Sequence, residues 1–285
     1  MQAILTTQRI QWGLLFLALG VLYFALLREM AGDWAIDPNY SHGYLVPFIA
    51  ASFLWQRREK LMEAEPQPAS TGLLVMGAGL GMFFLGDLAA EYFTMRFSFL
   101  VVLAGIVLVL AGWEILRLVL FPLGYLIFMI PLPYTLYDSI AFPLKLFAAK
   151  AATAVLQFIW IPIHREGNIL ILENQTLEVA DACSGIRSLV SLLALGVAMA
   201  AMFQRTTPRR IALVAAAVPI ALFVNVLRIV VTGLLTHYVG PEAALGFFHE
   251  FEGMVVFAVA LVMLFGTNVV LDRMGKKEKE LKIGN

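Results

Sequence analysis

Charge is what this 285-residue chain has least of: Asp, Glu, Lys and Arg make up only 14% of it, far below the roughly 25% usual for a soluble domain. An ordinary cytosolic globule is excluded, because 61% of the residues are hydrophobic. The 20 basic and 20 acidic residues cancel, so no net basic field points to nucleic acid and no acidic excess points to disorder. Cysteine is nearly missing. Cys183 stands alone, which rules out an intrachain disulfide and leaves no thiolate cluster for a metal. The four histidines are scattered without close ligand spacing, and neither a Gly-rich phosphate loop nor a dinucleotide fingerprint is present. No metal and no cofactor is expected.

What the chain does have is long apolar runs. They approach the ~20 residues of a spanning helix and exceed the ~10 of an outer-membrane strand. The expected fold class is therefore all-α, a polytopic membrane bundle of about eight segments: 11–27, 43–55, 71–88, 97–113, 116–131, 184–203, 211–237 and 251–271. The second is short enough to cross only half a membrane, and the fifth follows its neighbour after a tight turn at 114–117. Arg9 precedes the first run, but no small-residue cleavage site follows it, so that run is read as a retained helix.

With the N-terminus inside, thirteen Lys and Arg fall on inner segments and five on outer ones (Arg28, Arg96, Lys145, Lys150 and Arg165). This positive-inside bias predicts both ends in the cytoplasm. Gly77 with Gly81, and Gly196 with Ala200, have the small-xxx-small spacing of helix packing. The chain is expected to form one transmembrane domain over 1–285. It carries an outer-face loop at 132–182 and a charged, solvated cytoplasmic tail at 272–285. Within the loop, 136–158 mixes Lys145 and Lys150 with apolar residues, as an amphipathic helix lying in the lipid interface does. Residues 168–172 and 177–180 read as a small hairpin.

On this topology several polar side chains gather at one face. Cys183 falls at the outer start of the sixth segment, where helix N–H groups favour a thiolate. Arg187 follows one turn later. Arg228 lies 17 residues into the seventh segment, or ~26 Å at 1.5 Å per residue, close to the outer interface. Asn225 precedes it by a turn, and His249 ends the loop before the eighth segment. Taken singly, each has a plain reading: the thiol a small buried hydrophobe, the arginine a snorkelling side chain, the histidine a surface residue. Together they suit thiol acyl transfer, in which a thiolate attacks a carbonyl, an imidazole moves the proton and a guanidinium holds the oxyanion. His237 is a rival for the imidazole, and His42 is a third outer-face histidine, structural or substrate-facing.

Three ordered segments resemble the signature of the exosortases, multi-pass bacterial proteins grouped with the archaeosortases. They are Ala182-Cys183-Ser184-Gly185-Ile186-Arg187, Asn225-Val226-Leu227-Arg228 and His249-Glu250-Phe251-Glu252-Gly253. Ser41-His42-Gly43-Tyr44-Leu45-Val46-Pro47 resembles that family's early His-Gly-aromatic-Leu-Val-Pro segment, and the likeness runs from about Tyr40 to Leu271. Ile186 stands where leucine is common in the family. The resemblance implies a cysteine transpeptidase of the bacterial inner membrane with its active site facing the periplasm, associated with exopolysaccharide producers. It also implies protein substrates carrying a C-terminal sorting signal: a short motif such as Pro-Glu-Pro, a transmembrane helix and a basic tail. Carried over by motif, Cys183, Arg228 and His249 are catalytic, with Arg187, Asn225 and His42 in support. The acceptor nucleophile is not specified, nucleic acid is not expected, and membrane lipid is. Two rivals remain: a transporter, which would spread polar residues over several depths, and a non-enzymatic scaffold of an export system, in which Cys183 would be dispensable.

Overall fold

The computed structural model describes residues 2–172, 175–178, 186–240 and 247–283. Its helices are α1 (Gln2–Ile36), α2 (Val46–Gln56), α3 (Arg58–Glu63), α4 (Thr71–Leu88), α5 (Tyr92–Tyr125), α6 (Tyr134–Phe158), α7 (Ile186–Phe203), α8 (Thr207–Tyr238) and α9 (Phe247–Ile283). Strands β1 (Ile163–Glu166), β2 (Ile169–Leu172) and β3 (Gln175–Glu178) lie between α6 and α7. Among the described residues, seven helical stretches are long and apolar enough to cross a membrane: Trp12–Ile36, Thr71–Leu88, Tyr92–Met129, Tyr134–Phe158, Ile186–Phe203, Thr207–Tyr238 and Gly253–Met274. The protein is thus a polytopic all-α membrane protein. The chain forms two compact units, Met1–Pro133 and Tyr134–Asn285.

In the first unit α4 and α5 pack as an antiparallel hairpin closed by glycine. A Cβ on Gly72 would stand 2.5 Å from the Val109 nitrogen, one on Gly79 2.6 Å from Val102, and one on Gly86 2.7 Å from Met95. The seven-residue spacing puts all three on one helix face, and the missing side chains let the two backbones close together. Gly77 and Gly81, expected to make this contact, have nothing within 4 Å. They sit on the opposite face, because α4 turns the seven-residue stripe toward its partner.

Helix α5 of that hairpin is not one straight rod. Gly112 has φ 84° and ψ −173°. Asp33 is paired with Arg96, Oδ2 to Nη2 at 2.6 Å, while Trp34 donates Nε1–H to the Met129 carbonyl at 2.9 Å. Adjacent residues of α1 could not reach both in a continuous helix, where 33 residues would separate the two contacts by ~50 Å. The chain therefore reverses at Gly112, giving limbs 92–111 and 113–125. A side chain there would run into the Gln67 carbonyl, so glycine is required twice over. The two apolar runs expected at 97–113 and 116–131 are these limbs, with the break two residues before the expected turn at 114–117. The run at 43–55 becomes α2, only 11 residues long, or about 17 Å, and the stretch after it completes the crossing: Gly43 lies at the end of α1 under Trp34, whereas Gln67 N–H bonds the Ala111 carbonyl at 3.1 Å, at the Gly112 end of the hairpin.

The Ser-His-Gly-Tyr segment forms a 3-10 helix over Pro38–Tyr44, started by the Asp37 carboxylate accepting from Asn39 N–H at 2.8 Å. His42 Nε2 bonds the Phe128 carbonyl at 3.1 Å, and the Tyr44 hydroxyl donates to the Ala31 carbonyl at 3.1 Å. Gly43 lies under the Trp34 indole, where a Cβ would be 2.5 Å from Nε1. His42 is therefore a tie between the turn after α1 and the end of the 113–129 limb.

In the second unit α7 and α8 are antiparallel, with Gly196 facing Val214 and Ala217 and Ala200 buried beside them. α9 packs along α8 through Val256, Ala260 and Leu264 against Ile220, Ala217 and Leu213. At the far end Gln204 donates Nε2–H to Asn268 Oδ1 at 2.8 Å, joining α7 to α9. α9 continues as helix to Ile283 through the charged tail expected to be solvated. Its Lys and Glu are straight-chain helix formers, and Glu278 precedes Lys282 by four residues. The sheet has order β1-β2-β3 with antiparallel neighbours. It adds one strand, Ile163–Glu166, to the expected hairpin; Gly167 in the intervening turn has φ 64°. Residues 173–174 and 179–180 of that expectation lie outside the described residues. Ile163, Leu170 and Leu172 bury one sheet face against Ala148, Ala149, Ala152 and Leu156 of α6 and Ile229 and Val230 of α8.

Candidate functional site

The helix registers set the site's geometry. Because Gly196 of α7 faces Val214 and Ala217 of α8 and the two helices run oppositely, Arg187 comes to about the level of Asn225. Arg228 is half-buried one turn further along α8, and Asn225 is 4% exposed. The Arg228 guanidinium reaches α9: its Nη2 lies 4.0 Å from the position a Cβ would take on Gly253. His249 is in the first turn of α9, four residues before Gly253, and so on the same helix face, one turn nearer the start. At this level two hydroxyls bond back along α8, Thr232 donating to the Arg228 carbonyl at 2.9 Å and Thr236 to the Thr232 carbonyl at 2.8 Å.

Three of the residues singled out in the sequence are thus gathered at one end of the α7–α8–α9 bundle by backbone position: Arg187, Asn225 and Arg228, with the start of α9 beside them. For His249 the description is of the backbone alone. Cys183 lies outside the described residues, three positions before Ile186. His237 is at the last turn of α8, exposed, its ring edge-on to Tyr238 at 4.8 Å. That is two turns past Arg228 along α8. His42 belongs to the other unit and is held there by Phe128. Burial pushes its imidazole below the usual histidine pKa, against the pull of backbone bonds to Phe128 and Asn39.

The residue that sequence reasoning used least is Gly253. Its signal was its place, four residues after His249. A Cβ there would be in ordinary van der Waals contact with the Arg228 guanidinium, 4.0 Å away. Among the described residues no group of three or more His, Cys, Asp or Glu is placed to hold a metal ion. The chemistry this end of the bundle offers is a fixed cation beside a helix start, a setting that stabilises negative charge on a reacting atom.

No curated protein and no solved structure matches the chain. The family model for transmembrane exosortase (Exosortase_EpsH) matches residues 34–266, a stretch that takes in the 3-10 turn of His42, helices α2 to α8, and Cys183, Arg187, Asn225, Arg228, His237, His249 and Gly253. The chain belongs to the transmembrane exosortase family.

Proposed function

We propose that this protein is a cysteine peptidase and transpeptidase of the bacterial inner membrane. It cleaves C-terminal sorting signals of exported proteins at the outer face and passes the acyl group to an acceptor. The observation that carries the reading is the placement of Arg228 against Gly253, one turn from His249, level with the helix that follows Cys183. Family membership supports the exosortase-type activity. The substrates are proteins with a short motif of the Pro-Glu-Pro kind, a transmembrane helix and a basic tail.

In this reading the Cys183 thiolate attacks the carbonyl carbon of the scissile peptide bond. Negative charge develops on the carbonyl oxygen, and the planar Arg228 guanidinium holds it. As the C–N bond breaks, His249 donates a proton to the departing amine, leaving a thioester and a neutral imidazole. The acceptor nucleophile then gives its proton to His249 and attacks the thioester, and the thiolate leaves. Arg187 and Asn225 support the anion site from α7 and α8. With both termini cytoplasmic, this end of the bundle faces the periplasm.

The test is processing of a tagged substrate in cells. Cys183→Ala should abolish it while the protein remains inserted and folded, and hydroxylamine should release substrate trapped as a thioester on the wild type. Processing at the normal rate by Cys183→Ala would overturn the reading.

A further inference from the structure

The end of α6 carries a feature that neither the proposed chemistry nor the core explains. Ile161 N–H bonds the Leu156 carbonyl at 3.0 Å and Trp160 N–H bonds the Gln157 carbonyl at 3.0 Å. That pair of bonds is the Schellman ending of a helix, completed by apolar contact between Ile161 and Leu156 in one buried cluster. The residue that turns the chain in this motif takes the left-handed conformation and is usually glycine. Here it is Trp160, with φ 65°. For a bulky side chain this is a strained conformation, and it presents the indole outward, 92% exposed. Phe158 beside it is 84% exposed. Nothing inside the protein repays a large aromatic at a position that favours glycine.

The path of α6 says what does. Tyr137, Ala141 and Leu144 pack on Ile186 and Val190 at the start of α7, whereas Leu156 packs on Gly233 of α8. By the α7–α8 register, those partners differ in level by about nine residues, roughly 13 Å, while Tyr137 and Leu156 are about 28 Å apart along α6. The helix therefore crosses α7 and α8 at roughly 60°. Its whole length projects onto their axis by less than 20 Å, short of the ~30 Å apolar core. α6 is long and apolar enough to span, yet it is laid across one end of the bundle. Flanking its buried stripe, Ile140, Phe142, Phe147 and Val155 are exposed, and the line opposite that stripe carries Ser139, Lys150 and Gln157, all exposed. Immediately past the tip, His164 and Glu166 are exposed and polar.

We infer that α6 is a lipid-interface platform, with Trp160 its anchor: the helix lies in the plane of the membrane and the Phe158-Ile159-Trp160 tip seats at the headgroup level. Indole is favoured at that depth, apolar on its face and polar at its N–H, and a headgroup layer supplies the anionic phosphates that suit Lys150. The strained turn aims the ring outward, and the bilayer takes it up. This inference stands independently of the catalytic reading.

Two measurements test it. The protein has five tryptophans, so 5-fluorotryptophan labelling in phosphatidylcholine–phosphatidylglycerol nanodiscs should give five 19F resonances, and Trp160 is the one lost in Trp160→Phe. It should be broadened away by lipid carrying a nitroxide near the headgroup, much less by lipid labelled near the chain end, and little by an aqueous gadolinium chelate. Broadening by the chelate with no effect of either lipid would overturn the inference, as would shielding from all three, which marks a protein partner or second copy. In a Cys183→Ala background, Thr135→Cys and Pro162→Cys should react with an impermeant maleimide from the same side of sealed vesicles; labelling from opposite sides would make α6 a span and overturn it. Trp160→Gly, which suits the left-handed turn, should melt in detergent at or above the wild-type temperature, so that loss of anchoring is separable from loss of fold.

Discussion

Two arginines sit within helices of the two units, and their surroundings differ in kind. Arg96, at the start of the 92–111 limb, is 7% exposed and closed on Asp33 at 2.6 Å, with Tyr92 stacked under it at 5.6 Å. Arg228 is half-buried and has a glycine opposite it on α9. The first is tied to a carboxylate that also fixes the end of α1, so its charge is spent on architecture. The second comes level with the start of two helices, the placement on which its proposed role rests. The histidines repeat the contrast: His42 holds a backbone carbonyl between two turns, while His249 opens α9 one turn from Gly253. A polar residue in a membrane helix announces that it matters; for Arg96 and His42 the bonded partner shows that it matters for fold.

The largest expected effect tests the chemical side of that contrast. Arg228→Lys keeps the charge but loses the planar fork, and should lower processing on the order of 10³-fold, the scale of losing an oxyanion donor. Folded yield should be unchanged by size-exclusion profile. His249→Ala should be comparably inactive and His237→Ala close to wild type in the same processing assay. Should His237→Ala abolish processing while His249→Ala does not, the proton-transfer role moves to the end of α8. Thiol alkylation against pH separates the two roles, since loss of Arg228 should raise the apparent thiol pKa and loss of His249 should slow turnover with the thiolate still formed.

The architectural side should respond oppositely. Asp33→Asn strands a buried guanidinium, and because Asp33 is itself 38% exposed the cost is put at about 2 kcal/mol, below the 3–5 of a fully buried pair. It should appear as a lower melting temperature in detergent, with the rate per folded molecule retained. If Asp33→Asn lost rate and kept stability, the contrast between the two arginines would fail.

How much of this was legible beforehand depends on whether one element or two were needed to see it. The all-α membrane class and the apolar segments follow from composition and run length, which each segment carries by itself. The order Cys183, Arg228, His249 is likewise written along the chain. The packing stripe was not: Gly77 and Gly81 have the familiar four-residue spacing, and only the facing limb 92–111 selects Gly72, Gly79 and Gly86 instead. The turn at Gly112 was off by two residues because the charges at 114–117 mark the water boundary, whereas the reversal falls where Gln67 leaves no room for a side chain. That α6 lies across α7 and α8 depends on contacts in two other helices and is invisible in its own periodicity. Gly79→Leu should therefore cost about 1–3 kcal/mol by overpacking and Gly81→Leu almost nothing, read as the difference between two melting temperatures in the same detergent.

The smallest expected effect is the pH response of the first unit. His42 lies in the 3-10 turn after α1, and its pKa is lowered in the folded protein, burial being the main cause and the carbonyls of Phe128 and Asn39 opposing it. An imidazole that is harder to protonate when folded binds fewer protons than the unfolded chain does. Its contribution is therefore fully present above the unfolded value near 6.5 and declines as pH falls from there toward the folded value. Within that window the slope approaches about 1.4 kcal/mol per pH unit, and below it the loss levels off. His42→Asn, which cannot titrate, should remove this part of the pH dependence while keeping a side-chain bond to Phe128 within reach. Melting temperatures from pH 8 to pH 5 would show it: the wild type should fall more steeply than the variant below pH 6.5, and the two should run parallel above it. Parallel curves throughout would mean that the turn opens to let the ring protonate, and that the first unit is less rigid than its hydrogen bonds imply.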